Sequence, residues 1–387
     1  MKYLLPFFFL IFSSIVLSQP EIGLSGIEIQ VDQDYFADYL RPESNADTDK
    51  YYDDNYTVAL RVGIYGEYAN SYYLGLPWVR ERIDYVLDNI LYRRDFRQKS
   101  ESHNFTFTVN GYGPRHINAD HPGYALDVSE GYSLEDERPF SSFTGFRSSR
   151  RLTGTKRFVH SARLYQMGVN TSFAFGLGGV GLARGIDNLL GFQRPDADLW
   201  KRDESAPYPT GQVLKNVFPI FLYSVSSEIA VLSPIRKVVL QVRPELNLGY
   251  YTDVALGIDF GKVMSVEGVI DNLSYTDTNN PSSATVNDQD MGFSLVGGIT
   301  VRGVLYNYHL NGLYGKSKGN YVTFADTRKF VYEGYIGVKL QILQRVDITY
   351  SVNYRSQEFK APLRYGYRWG TIGIKYLMGP AGVGCYD

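Results

Sequence analysis

The chain has 387 residues, 39 Lys and Arg against 41 Asp and Glu, and a hydrophobic content of 44%. A net charge of -2 with scattered basic residues argues against a dedicated nucleic-acid binder. The single cysteine, Cys385, excludes a disulfide framework or a Cys-rich metal site, and the mean hydropathy of -0.23 excludes a helical membrane bundle.

The first eighteen residues read as an address. Lys2 precedes a short apolar stretch from Leu4 to Leu17, and Val16 and Ser18 are small enough to flank a cleavage site before Gln19. This is the pattern of a secretory signal peptide, 1–18, leaving 19–387 as one domain. Beyond it no run of about 18 apolar residues offers a membrane-spanning helix.

Along the rest of the chain, alternation dominates. Twelve candidate strands fall at 27–35, 56–65, 105–112, 141–148, 159–175, 217–232, 237–249, 252–263, 291–305, 330–340, 346–356 and 367–377. In the clearest, Val346, Ile348, Tyr350, Val352 and Tyr354 share one face, and Asp347, Thr349, Ser351, Asn353 and Arg355 the other. Val254, Leu256, Ile258 and Phe260 repeat the pattern against Ala255, Gly257, Asp259 and Gly261. Strands of about 9–11 residues with one apolar face suit a transmembrane β-barrel, whose outside meets lipid and whose closure leaves no unpaired edge. A secreted β-sandwich also alternates. The signal peptide, the even strand number and the 33 tyrosines favour an all-β, antiparallel transmembrane barrel of twelve strands in the bacterial outer membrane.

One segment departs from this period. From Pro77 to Arg94, Ile83, Val86, Leu87, Ile90 and Leu91 recur at helical spacing. This predicts an amphipathic helix that lies on the membrane surface or packs against one barrel end. The stretch 271–290, rich in Asn, Asp, Ser and Thr, reads as a loop. With both termini in the periplasm, strand parity opens the connections 36–55, 113–140 and 176–216 on the outer side and puts the helix on the periplasmic side.

Chemically capable residues concentrate in those outer connections. Asp32, Asp34, Asp38, Asp47, Asp49, Asp53 and Asp54 are hard oxygen donors of the kind Ca²⁺ accepts, although a solvated acidic loop has the same composition. The five histidines, His103, His116, His121, His160 and His309, form no metal-binding pair at helical spacing, and there is no G-x-S-x-G nucleophile turn.

The order of local motifs resembles that of the outer-membrane lipid A deacylase family. Gln33, Asp34, Tyr35 and Phe36 resemble that family's Asn-Asp-x-Phe motif. Thr48 to Tyr52 and Tyr56 to Arg61 resemble a TDRYYTNGLRL-like run split by a short insertion. Tyr112, Gly113 and Pro114, then Glu137 to Ser142, resemble its YTP and DRPYAG segments. Asp187, Asn188, Leu189, Leu190 and Gly191, with Trp200 downstream, fall where the family has His-x-Leu-Ile-Gly before a Trp, and Tyr354 to Phe359 resembles a YRTREF segment. The resemblance implies a twelve-stranded barrel that removes an ester-linked acyl chain from lipid A. Its His would activate water, with Ca²⁺ and polar groups stabilising the oxyanion.

Carried over by position, the site residues are Gln33, Asp34, Thr57, Arg138 and Asp187, with Asp34 and Asp187 as metal ligands. Asp34 would bind or orient, Thr57 would hydrogen-bond and Arg138 would assist charge stabilisation. Two positions depart from the family: Gln33 replaces its Asn, and Asp187 replaces its His. An ionised Asp is a weak base at neutral pH. The expectation is an esterase on lipid A, lipopolysaccharide or another outer-leaflet lipid. The alternative is a catalytically inactive lipid-binding or scaffolding barrel. A pore is a third reading, against which twelve strands leave little lumen once side chains fill it.

Overall fold

A computed structural model of the chain describes residues 24–33, 58–91, 96–112, 141–157, 164–178, 218–231, 238–263, 291–312, 322–342, 345–360 and 366–377. The first eighteen residues lie outside these. Twelve antiparallel strands close into one barrel in sequence order, with the first pairing the last. They are β1 Leu24–Gln33, β2 Val58–Gly66, β3 Phe96–Tyr112, β4 Ser141–Arg157, β5 Leu164–Gly178 and β6 Phe218–Val231. β7 Val238–Gly249, β8 Tyr251–Val263, β9 Met291–Asn307, β10 Phe330–Ile342, β11 Val346–Arg355 and β12 Tyr367–Leu377 complete it.

The register explains the alternation. Ile348 stands between Leu340 and Ile374, all on the outer face, while Asp347 beside it is 3% exposed in the lumen. Ile29, Leu256, Ile258, Ile299, Ile336 and Ile374 are each at least 48% exposed, which forms an apolar belt around the outside. Short turns and both chain ends mark the periplasmic mouth of such barrels. By that rule the start of β1 and the end of β12 lie at the periplasmic mouth, and the β1–β2, β3–β4 and β5–β6 connections open outward. The β7–β8 connection is also outer yet has only Tyr250 between the strands. That turn needs a glycine: Gly249 has φ 138°, and a Cβ there would sit 2.1 Å from the Phe221 carbonyl oxygen.

The predicted helix is real and runs from Leu76 to Leu91 (α1), after two short 3₁₀ turns. It lies on the expected side of the barrel, and its seat is the outer face of β4 and β5. The reason is polar: Ser148, Arg150 and Thr171 point outward there and need partners. β3 and β4 are accordingly longer than the alternation suggested, extending to Phe96 and Arg157.

Candidate functional site

The outer mouth is the place where the sequence-derived site residues were expected to meet. Gln33 is the last residue of β1, where it pairs with Gly370 of β12. Asp34, Thr57, Arg138 and Asp187 lie outside the described residues. The strand ends that flank them are β1's end, β2's start at Val58, β4's start at Ser141 and β5's end at Gly178. All four of these ends belong to the same mouth of the closed barrel. Asp32, the last lumen-facing side chain of β1, is 2% exposed. It accepts from Gln30 Nε2 at 2.9 Å and pairs with Arg61 at 3.2 Å. Two of the motif segments quoted above, around Gln33 and Arg61, are thus joined by an ion pair at this rim.

Sequence reasoning missed what fills the lumen below. Arg355 pairs with Glu333 and, at 3.1 Å, with Glu358. Arg302 donates to Glu333 at 2.6 Å, to Glu245 at 2.9 Å and to Asp253 at 2.8 Å. Asn247 adds a donor to Asp253 at 2.7 Å. One step lower, Arg243 and Tyr335 both donate to Asp259, at 2.8 and 3.1 Å. Lys339 and Asp347, 2.9 Å apart, continue the ladder toward the periplasmic mouth. These positions were legible as the polar parity of their strands, but alternation does not say which of them meet across a barrel. The arrangement lines the lumen side of β7 to β11 with paired charge. It also binds the carboxylates to guanidinium groups. Among the described residues, no group of three or more His, Asp, Glu or Cys side chains is placed to hold a metal ion.

A second feature sits beside the ladder at the outer mouth. Four residues after β9, Tyr308–Asn311 (α2), fold back into the lumen, with His309 4% and Ser141 0% exposed. Ser141 Oγ and His309 Nδ1 are 3.0 Å apart. The imidazole packs against Tyr112, with ring centroids at 4.7 Å, and against Tyr250 at 5.6 Å. Burial pushes the Tyr250 and Tyr308 phenols above their usual range, so both stay neutral. A hydroxyl–imidazole pair is the right chemistry for nucleophilic catalysis. Here it is walled in by aromatic rings and Phe143, so it ties α2 to β4 and gives no room for a lipid ester. His103, by contrast, faces outward beneath α1, 3.3 Å from Glu101. His116, His121 and His160 lie outside the described residues.

No protein-family model and no curated protein matches the chain. Its fold defines a class nevertheless: a closed twelve-stranded barrel with an apolar outside and a charged inside, an integral protein of the bacterial outer membrane. Among solved structures, LpxR from Salmonella typhimurium aligns over 92% of this chain and 100% of its own, with a TM-score of 0.54 and 14% identity. The β domain of the Bordetella autotransporter Brka aligns over 92% of this chain and 98% of its own, with a TM-score of 0.35 and 7% identity. The NalP translocator domain of Neisseria meningitidis aligns over 94% and 91%, with a TM-score of 0.25 and 9% identity. At 14% identity LpxR shares the fold, and the two autotransporter scores are too low to carry an argument.

Proposed function

We propose that the protein hydrolyses an ester-linked acyl chain of a lipid A-like lipid at its outer mouth. The observation that carries this reading is topological. The motif segments resembling the lipid A deacylases fall on connections that all open at one mouth of a barrel sharing its fold, over 92% of the chain, with LpxR. In this reading Asp34 and Asp187 bind or orient, Thr57 hydrogen-bonds, and Arg138 stabilises the anionic transition state. Asp32 and Arg61, paired at the rim, hold the end of β1 against β2 and so fix where Gln33 and Asp34 leave the wall. Calcium belongs to the proposal through donor chemistry alone: a bound cation stabilises oxyanion charge and acidifies a bound water. The described residues hold no such cluster, so the ligand assignment rests entirely on Asp34 and Asp187.

One residue favours a second reading. Asp187 stands where the resembling family has its His base, which suits a barrel that binds the lipid without cleaving it. Mass spectrometry of lipid A from cells with and without the protein tests the first reading. Loss of one acyl chain only when the protein is present supports hydrolysis. Unchanged lipid A at saturating Ca²⁺ overturns it in favour of binding.

A further inference from the structure

We propose that α1 is a lipid-contacting part of the barrel wall, its polar underside closing a charged seam and its aromatic ridge seated in the phospholipid interface of the periplasmic leaflet. The argument begins with parity. Ser148 stands between Phe105 and Phe173 in the register, and Tyr223 pairs with both Phe173 and Leu248. Phe146, Phe175 and Phe221, 45%, 46% and 49% exposed, share that outward face. The groups that hold α1 are therefore on the side of the wall that faces the membrane.

Left bare, this wall would expose Glu101, His103 and Arg150 next to its apolar belt. Arg on the lipid face of a barrel is destabilising, most at the bilayer midplane and less toward the interface. α1 covers the seam with matching groups. Arg80 is 0% exposed and donates to Ser148 at 2.9 Å. Asp84, 1% exposed, accepts from Thr171 at 2.9 Å and Tyr223 at 2.7 Å. Arg150 donates to Asp88 at 2.9 Å and to Glu101 at 2.8 Å. Leu152, Met167 and Val169, also outward by parity, are buried.

The outer side of α1 is the inverse of what water selects. A helix docked on a soluble protein turns its apolar stripe inward and its charges out. Here the charges of Arg80 and Asp84 are turned inward, while Trp78 is 51%, Tyr85 72% and Val86 56% exposed. Tyr72 and Tyr73, just before the helix, are 65% and 98% exposed. Trp and Tyr concentrate where headgroups meet acyl chains, since each has an apolar body and a polar tip. Arg82, the one cation among the described residues of this face, lies 5.6 Å over the Trp78 ring, from where its long stem can reach a lipid phosphate. The ridge is continuous with the apolar wall above it, and α1 hangs from the periplasmic end of β2, which together select the inner-leaflet phospholipid as occupant.

The test uses the full-length protein refolded into phosphatidylethanolamine–phosphatidylglycerol vesicles. Trp200→Phe and Trp369→Phe leave Trp78 as the sole tryptophan of the three. Trp78 should emit blue-shifted, lose most of its intensity to lipids brominated near the carbonyl end of the acyl chain, and resist aqueous acrylamide. Emission like free tryptophan, strong acrylamide quenching and no bromolipid effect would overturn the proposal. Should Trp369→Phe disturb folding, a nitroxide at Tyr85→Cys in a Cys385→Ser background gives the same answer. Collision with oxygen above that with a water-soluble nickel chelate supports lipid contact, and the reverse order defeats it.

Discussion

Arg302 is the hub of the lumen ladder, and its replacement tests whether that ladder holds the barrel together. Its guanidinium is 11% exposed and meets Asp253, Glu245 and Glu333 at 2.8, 2.9 and 2.6 Å. At an effective dielectric of about 20, one such contact is worth roughly 6 kcal/mol of gross attraction, most of it offset by desolvation. Removing one partner of a buried pair leaves the other charge uncompensated, which costs about 3–5 kcal/mol. Glu245 keeps Arg243 and Glu333 keeps Arg355. Asp253, 0% exposed and with no other salt bridge among the described residues, carries most of the loss. Arg302→Met should therefore lower the unfolding free energy by about 3–5 kcal/mol, a factor of roughly 10² to 5 × 10³ in the folded ratio. The assay is urea unfolding in vesicles, followed by tryptophan fluorescence. Adding Asp253→Asn neutralises the orphaned group while keeping an acceptor for Asn247, and should recover at least half of the loss. A cost under about 1 kcal/mol, the range of exposed pairs, would refute the ladder's structural role. So would an Asp253→Asn addition that made matters worse.

The remaining predictions follow from the two mouths. If the outer mouth is an esterase site, chelation and either Asp34→Ala or Asp187→Ala should remove most of the hydrolysis measured by lipid mass spectrometry. Asp187→His should raise hydrolysis if the chain is a weakened relative of the family it resembles, and should leave it unchanged or lower if the site has a different task. Planar bilayers should show no steady conductance if side chains crowd the lumen of a twelve-stranded barrel, and ohmic channels would support the pore reading instead. Ser141→Ala should cost stability of about 1 kcal/mol in the same urea assay while leaving any hydrolysis intact. Loss of activity in a folded Ser141→Ala protein would instead make the buried pair a nucleophile.

Where one face met a uniform apolar surround, the sequence was legible almost to the residue. The reading 346–356 became Val346–Arg355, 367–377 became Tyr367–Leu377, and 217–232 became Phe218–Val231. β3 and β4 were read short, as 105–112 and 141–148 instead of Phe96–Tyr112 and Ser141–Arg157. The cause is local chemistry. Arg150 and Arg151 are neighbours on opposite faces, one bonded to Asp88 of α1 outside and one to Glu228 inside. A strand polar on both faces shows no alternation, and its second partner lies some 60 residues away in sequence. The helix was legible from its 3.6-residue period. That period marks the stripe of Ile83, Val86 and Leu87 but is silent on the groups that decide docking, Arg80 and Asp84. The candidate site was legible as motifs and strand parity, and its principal side chains lie outside the described residues.

The charged ladder runs along the inside of the wall. Arg302, Glu333 and Arg355 bridge the neighbouring strands β9, β10 and β11 below the outer mouth. At the rim the Asp32–Arg61 pair ties the end of β1 to β2. The wall is where α1 replaces an exposed seam with a covered one. Ion pairs serve differently at the two places: within the lumen they tie neighbouring strands together, and beneath α1 they let charged strand positions exist beside hydrocarbon. Both need complete pairing, because an unmatched charge in either place costs more than the contact it would give up. That requirement is met at Arg80 and Asp84 beneath α1 and at Arg302 in the lumen, each of which faces charged or hydrogen-bonding partners.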